Sequence, residues 1–199
     1  MTEARRRRFA ALAAEAARCR ACPRMADQPA VLSHRNGSLL ARLVFVAEAP
    51  GRLGSGRTGV PFYGDRSGEN FQALIDHIGV DRSEIFITNA VLCNPLSQGC
   101  NSRPTVREIR NCGTFLDRVL ALIQPELVVT LGGVGLDALN RLLGTDYRLA
   151  TVAGRLLDTD RFQWLPLYHP SPRVTRTRRS LARQKRDFQL ILKALSRTA

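Results

Sequence analysis

A chain of 199 residues, 44% of them hydrophobic, can bury one full core but not two large ones. Thirty basic against seventeen acidic side chains leave a net charge of +13, a field that gathers polyanions and makes nucleic acid the leading partner. No apolar run approaches the roughly 18 residues of a membrane-spanning helix, which excludes that class.

The first segment, "RRRRFAALAAEAARC", has the outline of a twin-arginine export signal, but Glu15 and Arg18 interrupt its apolar stretch. It reads as a cytoplasmic helix with Phe9, Leu12 and Ala16 at helical spacing and Arg5 to Arg8 exposed at its start. Beyond it, apolar runs at 43–50, 85–92, 127–133 and 164–170 read as buried strands, each bounded by Pro or Gly. Segments 68–79, 105–123, 134–144 and 180–195 carry helical periodicity, and 144–163 reads as an irregular hairpin. Alternation of this kind predicts the α/β class. The expectation is one three-layer αβα domain over 1–199 around a central, mainly parallel sheet of four strands.

Ligands of open parallel sheets sit beyond the carboxyl ends of the strands. Here those ends carry "AEAPG", "TNAVLC", "LGG" and "YHPSP", so Glu48, Asn89 and His169 are expected on one rim. The stretch 44–68 holds six glycines and two prolines, leaving backbone N–H groups free to approach a ligand. It lacks the Lys and Ser/Thr of a P-loop. Phe62 and Tyr63 beside that bare backbone suit a pocket that stacks a flat base.

Five cysteines form the second constellation: Cys19 and Cys22 as C-x2-C, then Cys93, Cys100 and Cys112. Thiolates without a nearby His suit either zinc or an iron–sulfur centre. Pairing the N-terminal C-x2-C with Cys93 and Cys112 would staple the first 24 residues to the sheet.

Together, "EAPG…RTGVPFYGDRSG", "TNAVLC…RPTVREIRNC", "LGG" and "YHPSP" resemble the iron–sulfur uracil-DNA glycosylases, families four and five of that superfamily. The resemblance runs from about Cys19 to Leu195. "RTGVPFYGDRSG" is closer to family five, and Glu48 before "APG" to family four. It implies a [4Fe-4S] cluster on Cys19, Cys22, Cys93 and Cys112, with Cys100 as reserve ligand inside a longer "NPLSQGCNS" segment. It also implies roles in excising uracil. His169 would donate to the departing base, Asn89 would read the pyrimidine edge, Phe62 would stack on the flipped base, and backbone N–H groups near Ala49 and Gly51 would complete the pocket. Asp65, at the family-five position, is placed ahead of Glu48 as the principal catalytic carboxylate, with helix capping as its other reading.

Residues 173–186 hold seven basic and no acidic side chains immediately after the histidine motif. Ser171, Arg173, Arg176 and Arg178 are the expected phosphate contacts, with Pro172 or Arg173 pressed into the minor groove. The reading is therefore a monomeric, monofunctional glycosylase acting on uracil in single- or double-stranded DNA, with other deaminated bases as further candidates. The alternative is a non-catalytic, damage-sensing DNA-binding protein of the same fold.

Overall fold

The computed structural model describes residues 2–196; residue 1 and residues 197–199 of the expected domain lie outside that range. The four apolar runs form strands β1 (Leu43–Ala47), β2 (Ile85–Asn89), β5 (Leu127–Leu131) and β7 (Gln163–Leu167), the first three buried along their whole length. They are parallel, in the order β2-β1-β5-β7, and a fifth strand, β6 (Leu157–Asp158), pairs antiparallel with β7 at the edge. The sheet thus has five strands and not the expected four. Two residues are too short to show a period of two, which hid β6 within the 144–163 segment.

Side chains alternate across this sheet. Val44 and Val46 face one core with helices α1 (Glu3–Arg18), α4 (Val106–Ile123) and α5 (Gly133–Leu143). Phe45 and Ala47 face the other with α3 (Arg66–His77) and α8 (Leu181–Leu195). The result is the expected αβα sandwich. Phe9, Leu12 and Ala16 are the buried residues of α1, and Phe9 meets Phe86 edge-on at 5.8 Å.

Helix starts follow capping chemistry. Thr105 and Glu108 form a capping box on α4, Ser180 caps α8, and Asp65 caps α3 through Gly68 N–H at 2.9 Å. That cap starts α3 two residues before the expected 68. Among the described residues the short α-helices are α2 (Ser55–Thr58) in the Gly-rich loop, α6 (Leu149–Val152), and α7 (Pro172–Thr177), opened by a proline at its first position. Strands β3 (Leu96–Ser97) and β4 (Cys100–Asn101) make a small hairpin turning through Gln98 and Gly99, both at positive φ.

The register positions the site. Ala47 lies opposite Asn89, Val46 opposite Thr130, and Leu131 opposite Leu167, so the four strands end level and their tails emerge side by side.

Candidate active site

A cavity of about 570 Å³ opens over those strand ends. Glu48, Ala49, Gly51, Phe62, Asp65, Asn89 and His169 all line it, so the residues expected on one rim are brought together. Tyr63 is not part of it. It is 61% exposed, and of the Phe62–Tyr63 pair only Phe62 lines the cavity.

Asn89 ends β2 and is only 5% exposed, yet its Nδ2 has no hydrogen-bond partner within the fold. An orphaned buried amide costs about 1–3 kcal/mol, so this group is kept at the pocket floor against the interest of the empty fold. Among the described residues the N–H groups of Ala49 and Gly51 likewise donate to no protein acceptor. Three residues that line the cavity thus carry donors with no acceptor among the described residues.

His169 follows β7. Its Nδ1 accepts a hydrogen bond from the Ser171 N–H at 3.1 Å, which leaves the proton of a neutral ring on Nε2. Burial pushes the imidazole down to about 4, so near neutral pH it is an uncharged donor. Gly132, at φ +90°, lets the chain pass behind this ring; a Cβ there would lie 3.1 Å from the His169 Cβ.

Phe62 has φ +49°, a left-handed conformation that costs a bulky residue about 1–3 kcal/mol. Its ring is held by stacking on Phe71 at 4.4 Å and lies 5.5 Å from the His169 ring. The Arg82 guanidinium bonds to the Pro61 and Phe62 carbonyls and lies 5.7 Å from the Phe71 ring centre. Strain so supported presents one aromatic face beside the imidazole.

The two carboxylates differ in their surroundings. Asp65 spends Oδ1 on its helix cap, while Oδ2 lies under the Gly-rich loop, 2.4 Å from where a Cβ on Gly54 would sit. Any side chain at 54 would displace it. Glu48, half-buried just past β1, has no hydrogen-bond partner for its carboxylate among the described residues. Burial raises its pKa, and the positive charge of Arg103 partly opposes the shift.

The second wall was not foreseen. Asn94, Pro95, Asn101, Ser102 and Arg103 line the cavity from the β3–β4 side, and Asn101 Oδ1 accepts the Arg52 N–H at 2.9 Å, joining hairpin to Gly-rich loop. The "QG" pair at its turn was the available signal.

On the rim, Ser171, Arg173 and Arg178 line the cavity mouth, and Arg176 lies exposed on α7. Arg173, Arg176 and Arg178 make no ion pair among the described residues. Arg179 is different: it is held bidentate by Asp187 at 2.8 and 2.5 Å, so one member of the basic run belongs to the fold. Removing Arg173 and Arg178 together is expected to lower the salt slope of DNA binding by about 2, roughly 0.9 per lost phosphate contact. A slope equal to wild type, read by titrations across salt concentrations, would place both on an idle face.

On the far side of α4, Cys19, Cys22, Cys93 and Cys112 line one small cavity of about 30 Å³, while Cys100 is exposed on β4 away from it. Burial pushes Cys93 up to about 11, with Cys19 and Cys22 adding to the shift. Cys112 is raised to about 12 by burial against the opposing Leu92 N–H, which donates to its Sγ at 3.3 Å. Asn111 Nδ2 donates to Cys22 Sγ at 3.5 Å. Among the described residues, no group of three or more His, Cys, Asp or Glu is arranged to hold a single metal ion.

Comparison with known proteins identifies the family. The family model for the uracil-DNA glycosylase superfamily matches residues 34–196. A type-4 uracil-DNA glycosylase of Thermotoga maritima is 33% identical over 160 residues, 77% of each chain. A type-4 enzyme of Archaeoglobus fulgidus is 31% identical over 140 residues, 68% of each chain. A type-5 enzyme of Pyrobaculum aerophilum is 34% identical over 149 residues, 68% of this chain and 64% of its own. Both types match at nearly the same identity.

Proposed function

Since the chain belongs to the uracil-DNA glycosylase superfamily, we propose that its cavity hydrolyses the N-glycosidic bond of deoxyuridine in DNA, releasing uracil and leaving an abasic site. The carrying observation is Asn89, a buried residue of the cavity lining whose Nδ2 has no partner within the described fold. A donor kept buried without a partner suits a pyrimidine carbonyl that arrives with the substrate, and thymine's methyl and cytosine's amine change the edge beside it.

A base can reach this floor only after leaving the duplex. Phe62 offers the stacking face, the Ala49 and Gly51 N–H groups complete the base's hydrogen bonds, and α7 holds phosphates on either side. As the C1′–N1 bond breaks, its electron pair goes to uracil and positive charge grows on the sugar. Neutral His169 donates its Nε2–H to the charged base oxygen. Water forms the new bond to C1′. Asp65, fixed by its cap, uses Oδ2 to orient that water and steady the sugar cation, and Glu48 takes the water's proton. What supports this division is that Asp65 is anchored and Glu48 is not, while burial raises the proton affinity of Glu48. Appearance of free uracil from a uracil-containing oligonucleotide, with no base released from its thymine counterpart, tests the reading; no release from either would end it.

For the cysteines we favour a [4Fe-4S] cluster held by Cys19, Cys22, Cys93 and Cys112. Four thiols line one small cavity, an all-sulfur donor set that suits iron–sulfur ligation, and the Leu92 N–H and Asn111 Nδ2 already donate to two of the sulfurs. The cluster would act as a cross-link between the N-terminal helix, the β2 tail and α4, since hydrolysis moves no electrons. Purified protein should be brown, with iron and sulfide. Cys112→Ser should cost the cluster and much of the soluble yield, and Cys100→Ser neither. Stoichiometric zinc without sulfide would contradict the assignment.

A further inference from the structure

We infer that Arg24 is a positioning residue that couples the Cys19–Cys22 turn to the wall of the excision pocket. It stands two residues past Cys22, and its guanidinium makes four hydrogen bonds in two directions. Toward α4, Nε and Nη2 grip the Glu108 carboxylate at 2.7 Å each. Toward the pocket, Nη1 donates to Ser102 Oγ at 2.6 Å and Nη2 to the Arg103 carbonyl at 3.0 Å. Ser102 and Arg103 both line the cavity.

The clamp is well supported. Only 10% of the Glu108 side chain is exposed, and the same carboxylate closes the capping box by accepting the Thr105 N–H at 2.7 Å. Segment 102–105 is thereby pinned between the cysteine turn and the first turn of α4. Its outward side chain, Arg103, meets Asp137 of α5 at 2.9 Å. Ionisable groups around the same cavity are Asp65, Tyr168, His169, Arg103, Arg173 and Arg178, and among them Arg103 is the one whose charge opposes burial at Glu48. A shift of the cysteine turn would move Arg24, then the backbone at 102 and 103, then the charge facing Glu48. Only an arginine spans both sides at once, because its planar fork binds a carboxylate while a free edge reaches further acceptors.

This inference rests on the glycosylase reading of the pocket, and three measurements on full-length Arg24→Ala and Arg24→Lys separate the two. With iron content and abasic-DNA affinity at wild-type levels, Arg24→Ala should slow single-turnover excision about tenfold, the scale of misplacing groups near a reacting centre. The acidic limb of its pH–rate profile should move to higher pH, because Arg103 no longer holds Glu48 down. Arg24→Lys, which keeps the charge at Glu108 but loses the fork, should give an intermediate rate, and it decides the matter if the alanine variant does not fold. A lysine or alanine variant with wild-type rate and wild-type limb overturns the inference. Hydrogen exchange at the Ser102 amide, which donates to Pro95 O at 2.8 Å, reads the linkage without any catalysis. Faster exchange in Arg24→Lys supports the clamp even if the wild type releases no uracil, and unchanged exchange refutes it.

Discussion

His169→Ala is expected to slow single-turnover uracil excision by about 10²-fold or more, the size of losing one donor to a developing oxyanion, while affinity for uracil-containing DNA is largely kept. The reason lies in how the ring is held. With Nδ1 occupied by the Ser171 N–H, Nε2–H is the donor, and it is present without a positive charge. The pH dependence follows with a definite sign. The folded pKa lies near 4 against 6.5 for an ordinary imidazole. Protonation therefore favours the unfolded chain, and this group's contribution to stability falls away as pH drops through that window. Excision at neutral pH should carry no histidine limb. A rate that falls as pH drops through 6.5 in wild type but not in His169→Ala would mean that the imidazole works in another protonation state.

The second large effect concerns the carboxylates. Glu48→Gln keeps the shape of the side chain but removes the proton acceptor, and should slow excision by about 10²-fold or more, within the span of general-base contributions. It should also erase the acidic limb, which burial of Glu48 places above the usual carboxylate range. Asp65→Asn should slow excision comparably yet keep that limb, because Glu48 still takes the proton. Asp65→Ala adds a loss of about 0.5–2 kcal/mol of stability through the missing cap. Were Glu48→Gln to retain both rate and limb, Asp65 would be the principal catalytic carboxylate, the order in which the sequence reading placed the two.

The sheet and its rim were legible because they rest on local signals. Largely apolar runs of seven or eight residues announced the strands, and two of the tails carried an unusual residue whose position follows from parallel register: Asn89 beside Ala47, and His169 two residues beyond Leu167. The runs were drawn up to three residues too long, at Glu48–Pro50, Ala90–Leu92 and Tyr168–Pro170; at the first two, backbone bonds from Ala90 N–H to Ala47 O and Val91 N–H to Glu48 O continue past the strand ends, and Ala90–Leu92 stay buried. The helix cap of Asp65 was legible, since a cap is a local property, but its second oxygen under Gly54 is a matter of packing. The grouping of Cys93 with Cys19, Cys22 and Cys112, leaving Cys100 outside, came from family spacing, and the small cavity groups them the same way. Arg103 and Arg24 were missed. Arg24 meets Glu108 across 84 residues of sequence, and nothing in either neighbourhood marks one arginine among so many. The structural role of Arg179 was hidden for the matching reason: Asp187, its partner, sits beyond the basic run.

The central claim is that this pocket breaks the glycosidic bond and goes no further. The direct measurement uses an end-labelled duplex with one uracil, incubated with the protein and resolved with and without alkali. The account predicts cleavage at the uracil position only after alkali, the mark of a hydrolytically formed abasic site, and no cleavage in the thymine control. Protein that binds the uracil duplex yet leaves every strand intact after alkali would contradict it, and would make the chain a binder of uracil-containing DNA.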